Sequence, residues 1–329
     1  MKRSISNLPN NIVVTNTTHI GTLLCNYPLL LRLKKKYPTA NITVLLSKRN
    51  GVLKKFLERQ AFSVIVLDNN FLGISRYKTI TEALLGKFGH YDLAICGLEP
   101  RKTDHLLLRA LSNNCMAYGE DNWHSKLIKH LVNFERSAYE EITQAQFSAN
   151  VFDGSSIDMS EWPRLRKEKK PFENLTLLVQ SENNRANSIL SPVKLSAILN
   201  RAFREIPFDL VINSSKPNEY TSSLLQLLDF SSCKVKVTKD FEDFVDLVNN
   251  VDVCLLGDGG ASHISAFTET PALVLFGETS VTHWKPMSTN QEILSDQVTV
   301  ENISDSEILE KLLKLFHETL KKRTLMLKK

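Results

Sequence analysis

The sequence predicts an α/β protein made of two doubly wound halves, each a parallel sheet flanked by helices. Three observations predict it. The chain has 329 residues, more than one ordinary core holds, so two domains of roughly 150 residues are expected. Short apolar runs alternate with helix-length amphipathic segments along most of the chain, the pattern of βαβ units. Between two blocks of this alternation lies a stretch of different character, Phe152 to Phe172, holding Gly154, Pro163, the basic run Arg164 to Lys170 and Pro171. It reads as a linker at about residues 151–172, between domains at 1–160 and 173–329.

In the first half, strands are expected at Asn11 to Thr17, Ile42 to Leu46, Ser63 to Leu67, Tyr91 to Cys96 and Cys115 to Tyr118. Helices are expected at Leu23 to Lys36, Val52 to Arg59, Ile74 to Phe88 and His105 to Leu111. Trp123, Leu127, Leu131 and Phe134 fall on one helical stripe, which suits a core-facing helix or, alternatively, membrane-surface contact. In the second half, strands are expected at Leu175 to Val179, Phe208 to Ile212, Lys234 to Val237, Asp252 to Leu256 and Ala272 to Phe276. Helices fall near Pro192 to Arg204, Glu219 to Leu228, Phe241 to Asn249 and His263 to Phe267. A last helix starts at Ser304, where Ser304 and Glu307 spell a capping box and Ile303 and Ile308 a staple, and runs to about Lys321. Two such Rossmann-like halves joined by a linker leave a cleft between two sheets.

The net charge of +5 permits anionic ligands or a membrane surface without demanding nucleic acid. No run of 18 apolar residues occurs, so no transmembrane helix is expected, and the polar start of the chain does not read as a signal peptide. Five scattered cysteines without a CxxC pair read as free thiols of a reducing cytosol rather than a metal site or disulfide framework. No GxGxxG follows the first strand and no GxxxxGK[ST] occurs, which disfavours a dinucleotide dehydrogenase and a P-loop kinase.

The chemistry concentrates between Asp252 and Pro286. One apolar run ends in Gly257-Asp258-Gly259-Gly260 before a helix carrying Ser262 and His263; the next ends in Gly277-Glu278-Thr279-Ser280. In an open parallel sheet such turns lie at the carboxyl ends of strands, where ligands bind. A helix start there offers free N–H groups and a positive dipole end, which suits phosphate.

These residues carry a resemblance. Asp258-Gly259-Gly260-Ala261-Ser262-His263, then Ala266, Pro271, Leu275-Phe276-Gly277 and Thr279 are similar to the carboxyl-terminal signature of the ADP-heptose:lipopolysaccharide heptosyltransferases, glycosyltransferase family 9. Ile20-Gly21-Thr22-Leu23, Pro28-Leu29-Leu30, Leu33-Lys34 and Tyr37-Pro38 resemble its amino-terminal segment, and Tyr91-Asp92-Leu93 a third one. The resemblance implies a GT-B fold, two Rossmann-like domains facing each other across a cleft. It implies inverting transfer of heptose from ADP-heptose to the lipid-A-linked core of lipopolysaccharide, without a metal or other cofactor, in the cytoplasm and peripherally on the inner membrane. The absence of an Asp-x-Asp sequence agrees with a metal-independent mechanism.

The resemblance also assigns residues. The family's base is similar to an Asp following Gly21, where this chain has Thr22, which cannot act as a carboxylate. His19 can replace it, since neutral imidazole accepts a proton near pH 7, or is a loop histidine. Gly21 allows close approach or a tight turn. Asp258 lies at the sugar nucleotide, caps the next helix, or both; Gly259 and Gly260 bring amides to the diphosphate. Ser262, His263, Gly277 and Thr279 complete the donor side. Arg185 is the nearby cation where the family carries a Lys, or else a surface arginine. Arg101 and Lys102 suit an anionic acceptor, or are solvated charges. Two alternatives stay open: a non-catalytic relative that binds sugar nucleotide or glycolipid, as Thr22 suggests, and a transferase using another nucleotide sugar.

Overall fold

The structure is a computed structural model and describes residues 8–96, 102–119, 130–133, 152, 164–165, 174–180, 185–214 and 218–327. The chain divides into two compact units, residues 1–163 and 164–329. Most of the expected linker, together with Arg101, Trp123, Leu127, Phe134 and the loop 181–184, lies outside the described residues.

Unit 1 contains strands β1 (Asn11–Asn16), β2 (Asn41–Leu46), β3 (Ser63–Val66), β4 (Leu93–Cys96), β5 (Cys115–Gly119) and β6 (His130–Asn133), with helices α1 (Ile20–Lys36), α2 (Lys54–Arg59), α3 (Ser75–Leu84) and α4 (Lys102–Leu111). The sheet is ordered β3-β2-β1-β4-β5-β6, with parallel pairing throughout. Its central strands read as nearly unbroken apolar runs because helices cover both faces. Val13, Leu45 and Ala94 on one face pack with Ile80 of α3 and Leu107 and Leu111 of α4.

Unit 2 repeats the plan. Strands β7 (Leu175–Gln180), β8 (Phe208–Ser214), β9 (Cys233–Val237), β10 (Val253–Gly257), β11 (Ala272–Phe276) and β12 (Gln291–Ser295) are ordered β12-β11-β10-β7-β8-β9, again all parallel. Helices α5 (Pro192–Glu205), α6 (Glu219–Gln226), α7 (Phe241–Asn250), α8 (Gly260–Phe267), α9 (Val281–Trp284) and α10 (Asp305–Leu327) complete it. Caps are set by sequence. The side chains of Ser191, Asn218 and Asp240 accept from Lys194, Thr221 and Asp243 amides at 3.3, 2.8 and 3.0 Å, and Pro192 occupies the first helical position of α5. The core joins Leu177, Leu210 and Leu255 of the sheet to Ile198 and Leu199 of α5 and Phe316 of α10. Edge strand β9 is exposed beyond its first residue and carries Lys234 and Lys236, charges that discourage pairing with another chain.

Counted from its own first strand, each sheet has the order 3-2-1-4-5-6, that of a dinucleotide-binding fold. Its switch point, where ligands bind, lies between the first and fourth strands: β1 and β4 in unit 1, β7 and β10 in unit 2.

Three expectations are corrected. Helix α1 begins at Ile20 rather than Leu23, so His19 is its N-cap and Gly21 and Thr22 lie in its first turn, not in a loop. Residues His130–Asn133, placed on a helical stripe by the sequence, form edge strand β6, paired with β5. A four-residue apolar run is ambiguous by periodicity, and sheet pairing decides it. The Ser304 hydroxyl pairs with that of Ser306 at 2.6 Å rather than forming a capping box, although Ile303 and Ile308 are both buried.

Candidate functional site

The loops that follow β7, β10 and β11 come together because those strands are neighbours in the sheet. Each contributes one polar side chain. Arg185 arrives from the β7 loop, Asp258 follows β10 directly, and Thr279 sits three residues beyond β11. The Arg185 guanidinium donates through Nη1 to Asp258 Oδ2 at 2.5 Å and to Thr279 Oγ1 at 2.5 Å. The Thr279 hydroxyl is also hydrogen-bonded to the Asp258 carboxyl. This triad spans the unit 2 switch point.

Its two charges differ in exposure. The Asp258 side chain is 3% exposed and that of Arg185 is 44% exposed. Burial raises the Asp258 pKa above the usual carboxylate range, and the Thr279 hydrogen bond and the Arg185 charge pull it part of the way back. Desolvation is therefore the larger influence, and Arg185 is the partner that solvent and an incoming anion can reach.

Gly259 occupies the N-cap of α8 with φ 157° and ψ −167°, a backbone region almost confined to glycine. Asp258 thus precedes the cap rather than occupying it. Gly260 opens the helix, whose first amides lie beside the triad's loop. Ser262 is buried, and its hydroxyl donates to the Gly259 carbonyl at 2.8 Å. His263 is also buried, and burial lowers its pKa to about 4, so the ring is neutral at pH 7. The Ser262 hydroxyl thus braces the helix start, and the His263 ring is enclosed within the unit.

Gly277 closes the arrangement from behind. A Cβ there would lie 3.1 Å from the Asn187 carbonyl carbon and 3.4 Å from Thr299 Cα, and would overlap the Asn187 carbonyl oxygen. Only glycine lets the β11 turn pass this close to the segment that carries Arg185. Glu278 is exposed and accepts from Asn187 Nδ2 at 3.3 Å. Asn187 was missed by sequence reasoning; its place two residues after Arg185 was the available signal.

Unit 1 carries a second polar cluster at its own switch point. Thr17, just past β1, donates to buried Asp104 of α4 at 2.8 Å. Asn50 Nδ2 donates to the Asn16 carbonyl at 3.2 Å. His19 is exposed, and its Nδ1 accepts from Arg49 Nη1 at 3.2 Å. Arginine has no lone pair to offer, so this contact fixes the neutral ring with its proton on Nε2. Thr22 is buried in the first turn of α1 and Gly21 lies beside it. Lys102 is exposed at the start of α4. Arg49 and Asp104 escaped the sequence reading because their partners lie 30 and 87 residues away.

Among the described residues, no group of three or more His, Cys, Asp or Glu side chains is placed to hold a metal ion. No helix among them is long and apolar enough to cross a membrane.

Comparison with known proteins bears on the fold and on part of the second unit. Residues 199–313 match the family model described as Glycosyltransferase family 9 (heptosyltransferase), a span that includes Asp258 and Thr279. No curated protein matches the chain by sequence. Among solved structures, the chain resembles E. coli ADP-heptose lps heptosyltransferase II with a TM-score of 0.73 and 15% identity, covering 95% of this chain and 99% of that one. The glycosyl transferase family 9 structure from Veillonella parvula DSM 2008 gives a TM-score of 0.75 at 14% identity, covering 94% and 98%. E. coli heptosyltransferase WaaC, solved with ADP, gives 0.70 at 11%, covering 93% and 99%. At such identities the likeness establishes the fold, and the family match adds the domain type. Residues 199–313 of the second unit are thus similar to glycosyltransferase family 9 (heptosyltransferase), and the chain has the two-domain α/β fold seen in the GT-B heptosyltransferase structures.

Proposed function

We propose that the protein is an inverting glycosyltransferase that moves a heptose from ADP-heptose to the lipid-A-linked inner core of lipopolysaccharide, working in the cytoplasm at the face of the inner membrane. The convergence of Arg185, Asp258 and Thr279 at the carboxyl ends of three adjacent strands carries this reading. Solved relatives described as bound to ADP and to ADP-2-deoxy-2-fluoro heptose support a nucleotide-sugar donor.

In the transfer, an acceptor hydroxyl oxygen bonds to the anomeric carbon while the bond from that carbon to the diphosphate breaks. Negative charge grows on the departing diphosphate. Arg185 and the first amides of α8 are the groups that meet it, fixed in advance and aimed at one place. Asp258 and Thr279 hold the guanidinium in position. The acceptor proton needs a base. His19 serves only once Nδ1 is released from Arg49, because the remaining nitrogen bears a proton.

The test is transfer with purified protein, ADP-heptose and a heptose-deficient core acceptor, reading ADP release and the mass of the product. One heptose added, with turnover lost in Arg185→Ala, is the expected result. Failure to bind ADP-heptose at all would sink the proposal. A second reading, binding without turnover, is favoured by one observation: the hydroxyl of Thr22 is buried in α1, where the family pattern has a carboxylate. Tight donor binding with no product would select it.

A further inference from the structure

Fourteen large hydrophobic side chains are exposed among the described residues, and five of them fall within residues 72–85: Leu72 (45%), Ile74 (88%), Tyr77 (61%), Leu84 (69%) and Leu85 (81%). The clustering follows from helix geometry. At roughly 100° per residue, Ile74, Tyr77, Thr81, Leu84 and Leu85 share one arc of α3 and its two caps. The opposite arc, Thr79, Ile80 and Ala83, is buried against the unit 1 core. The helix therefore has two apolar faces, and only one is covered.

Charges around the stripe are arranged unevenly. Lys78 is exposed and lies on the same arc. Glu82 lies off the arc and is engaged by Lys87 at 3.1 Å; Lys87 also reaches Asp68 at 3.6 Å. Arg76 turns its Nε to the Phe71 carbonyl at 2.9 Å. The open face thus offers aliphatic side chains, one tyrosine and one cation, with no carboxylate on the arc.

We propose that this face of α3 is a lipid-docking surface that lies in the plane of an anionic bilayer. Ile74, Tyr77, Leu84 and Leu85 enter the boundary between headgroups and acyl chains, and Lys78 extends its amine to lipid phosphates. Charge complementarity decides against a second copy of the chain. Twofold pairing of two such stripes would bury Lys78 against apolar side chains, and the neighbouring carboxylate one turn on, Glu82, is already engaged by Lys87, whereas at a bilayer the same amine meets anionic headgroups. The inference deepens the proposed reading by naming the surface that brings the enzyme to a lipid-linked acceptor, yet it is tested without donor or acceptor.

The experiment is flotation of the full chain with vesicles of phosphatidylethanolamine and phosphatidylglycerol, and with vesicles of phosphatidylcholine alone. The parent protein floats with the anionic vesicles. The triple variant Ile74→Ser, Leu84→Ser, Leu85→Ser loses roughly a thousandfold or more in partitioning, since each buried aliphatic side chain contributes roughly a factor of ten or more. Lys78→Glu loses roughly fivefold or more on anionic vesicles. Both variants keep the parent's melting temperature and ADP affinity, so failure of the docking idea is separable from failure of the transferase reading. The proposal is overturned if the parent does not float, if the triple variant floats as well as the parent, or if sedimentation shows that the stripe supports self-association instead.

Discussion

Replacing Gly277 by alanine tests whether the backbone contact behind the triad sets the position of Arg185. The added Cβ would face backbone on both sides: the Asn187 carbonyl, with its carbon at 3.1 Å, and Thr299 Cα at 3.4 Å. Neither can rotate away as a side chain would, so the β11 turn or the Ala186–Ser188 segment must move. Overpacking of this kind destabilises by about 1–3 kcal/mol. In a domain this size each kcal/mol lowers the melting temperature by about 2–4 °C, so a drop of about 2–12 °C is expected by calorimetry. Because Arg185 is two residues from Asn187, the shift also moves the guanidinium. A charge-assisted hydrogen bond contributes about 1.5–3 kcal/mol, so ADP affinity measured by titration calorimetry falls by about tenfold or more. A variant that melts with the parent and binds ADP equally well would refute the argument, since it would mean that the turn has room to spare.

Three further outcomes are expected. Arg185→Ala destabilises more than Asp258→Asn in denaturant titration, by about 2 kcal/mol, because the first takes the guanidinium from a buried carboxylate while the second leaves an arginine that water can reach. Stability falls as pH drops from 6.5 towards 4: the unfolded His263 imidazole binds a proton near 6.5, while burial holds the folded ring neutral down to about 4. The full difference is about 3 kcal/mol, and His263→Gln flattens that part of the pH profile. Thr22→Asp places a carboxylate in the first turn of α1, beside Gly21, and raises turnover about a hundredfold or more if loss of the acceptor proton limits the reaction. Unchanged turnover would show that the proton leaves by another route.

The interior strands were legible because each is a short apolar run bounded by glycine or polar residues, with both faces buried. Edge strands β3 and β9 were legible too, but the other two edge strands were not. Strand β12 reads Gln-Glu-Ile-Leu-Ser, and its polar start hides a pairing that only β11 reveals. Strand β6 shares its apolar residues with a plausible helical stripe. The start of α1 was misplaced by three residues because His19 makes no side-chain cap and a glycine follows, so neither usual signal of a helix start was present. On the donor side, Arg185, Asp258 and Thr279 were each readable as polar residues at strand ends, but their union was not: Arg185 is 73 and 94 residues from its partners. Their meeting follows from strand order, which local sequence does not encode. Ser262 and His263 were named for the donor side, and the structure buries both. A helix's first turn has an inner and an outer side, and periodicity over eight residues of mostly small or apolar type does not say which is which.

The triad has one more implication. Arg185 is engaged by a carboxylate of this same protein, so on the proposed reading Asp258 competes with an incoming anion. On that reading a lone inorganic phosphate would offer little beyond what Asp258 supplies, and would be turned away. A larger molecule that also grips the α8 amides and adds further contacts can outbid the internal partner. Selectivity for a whole nucleotide sugar over its fragments would then arise from an occupied arginine rather than from an empty one.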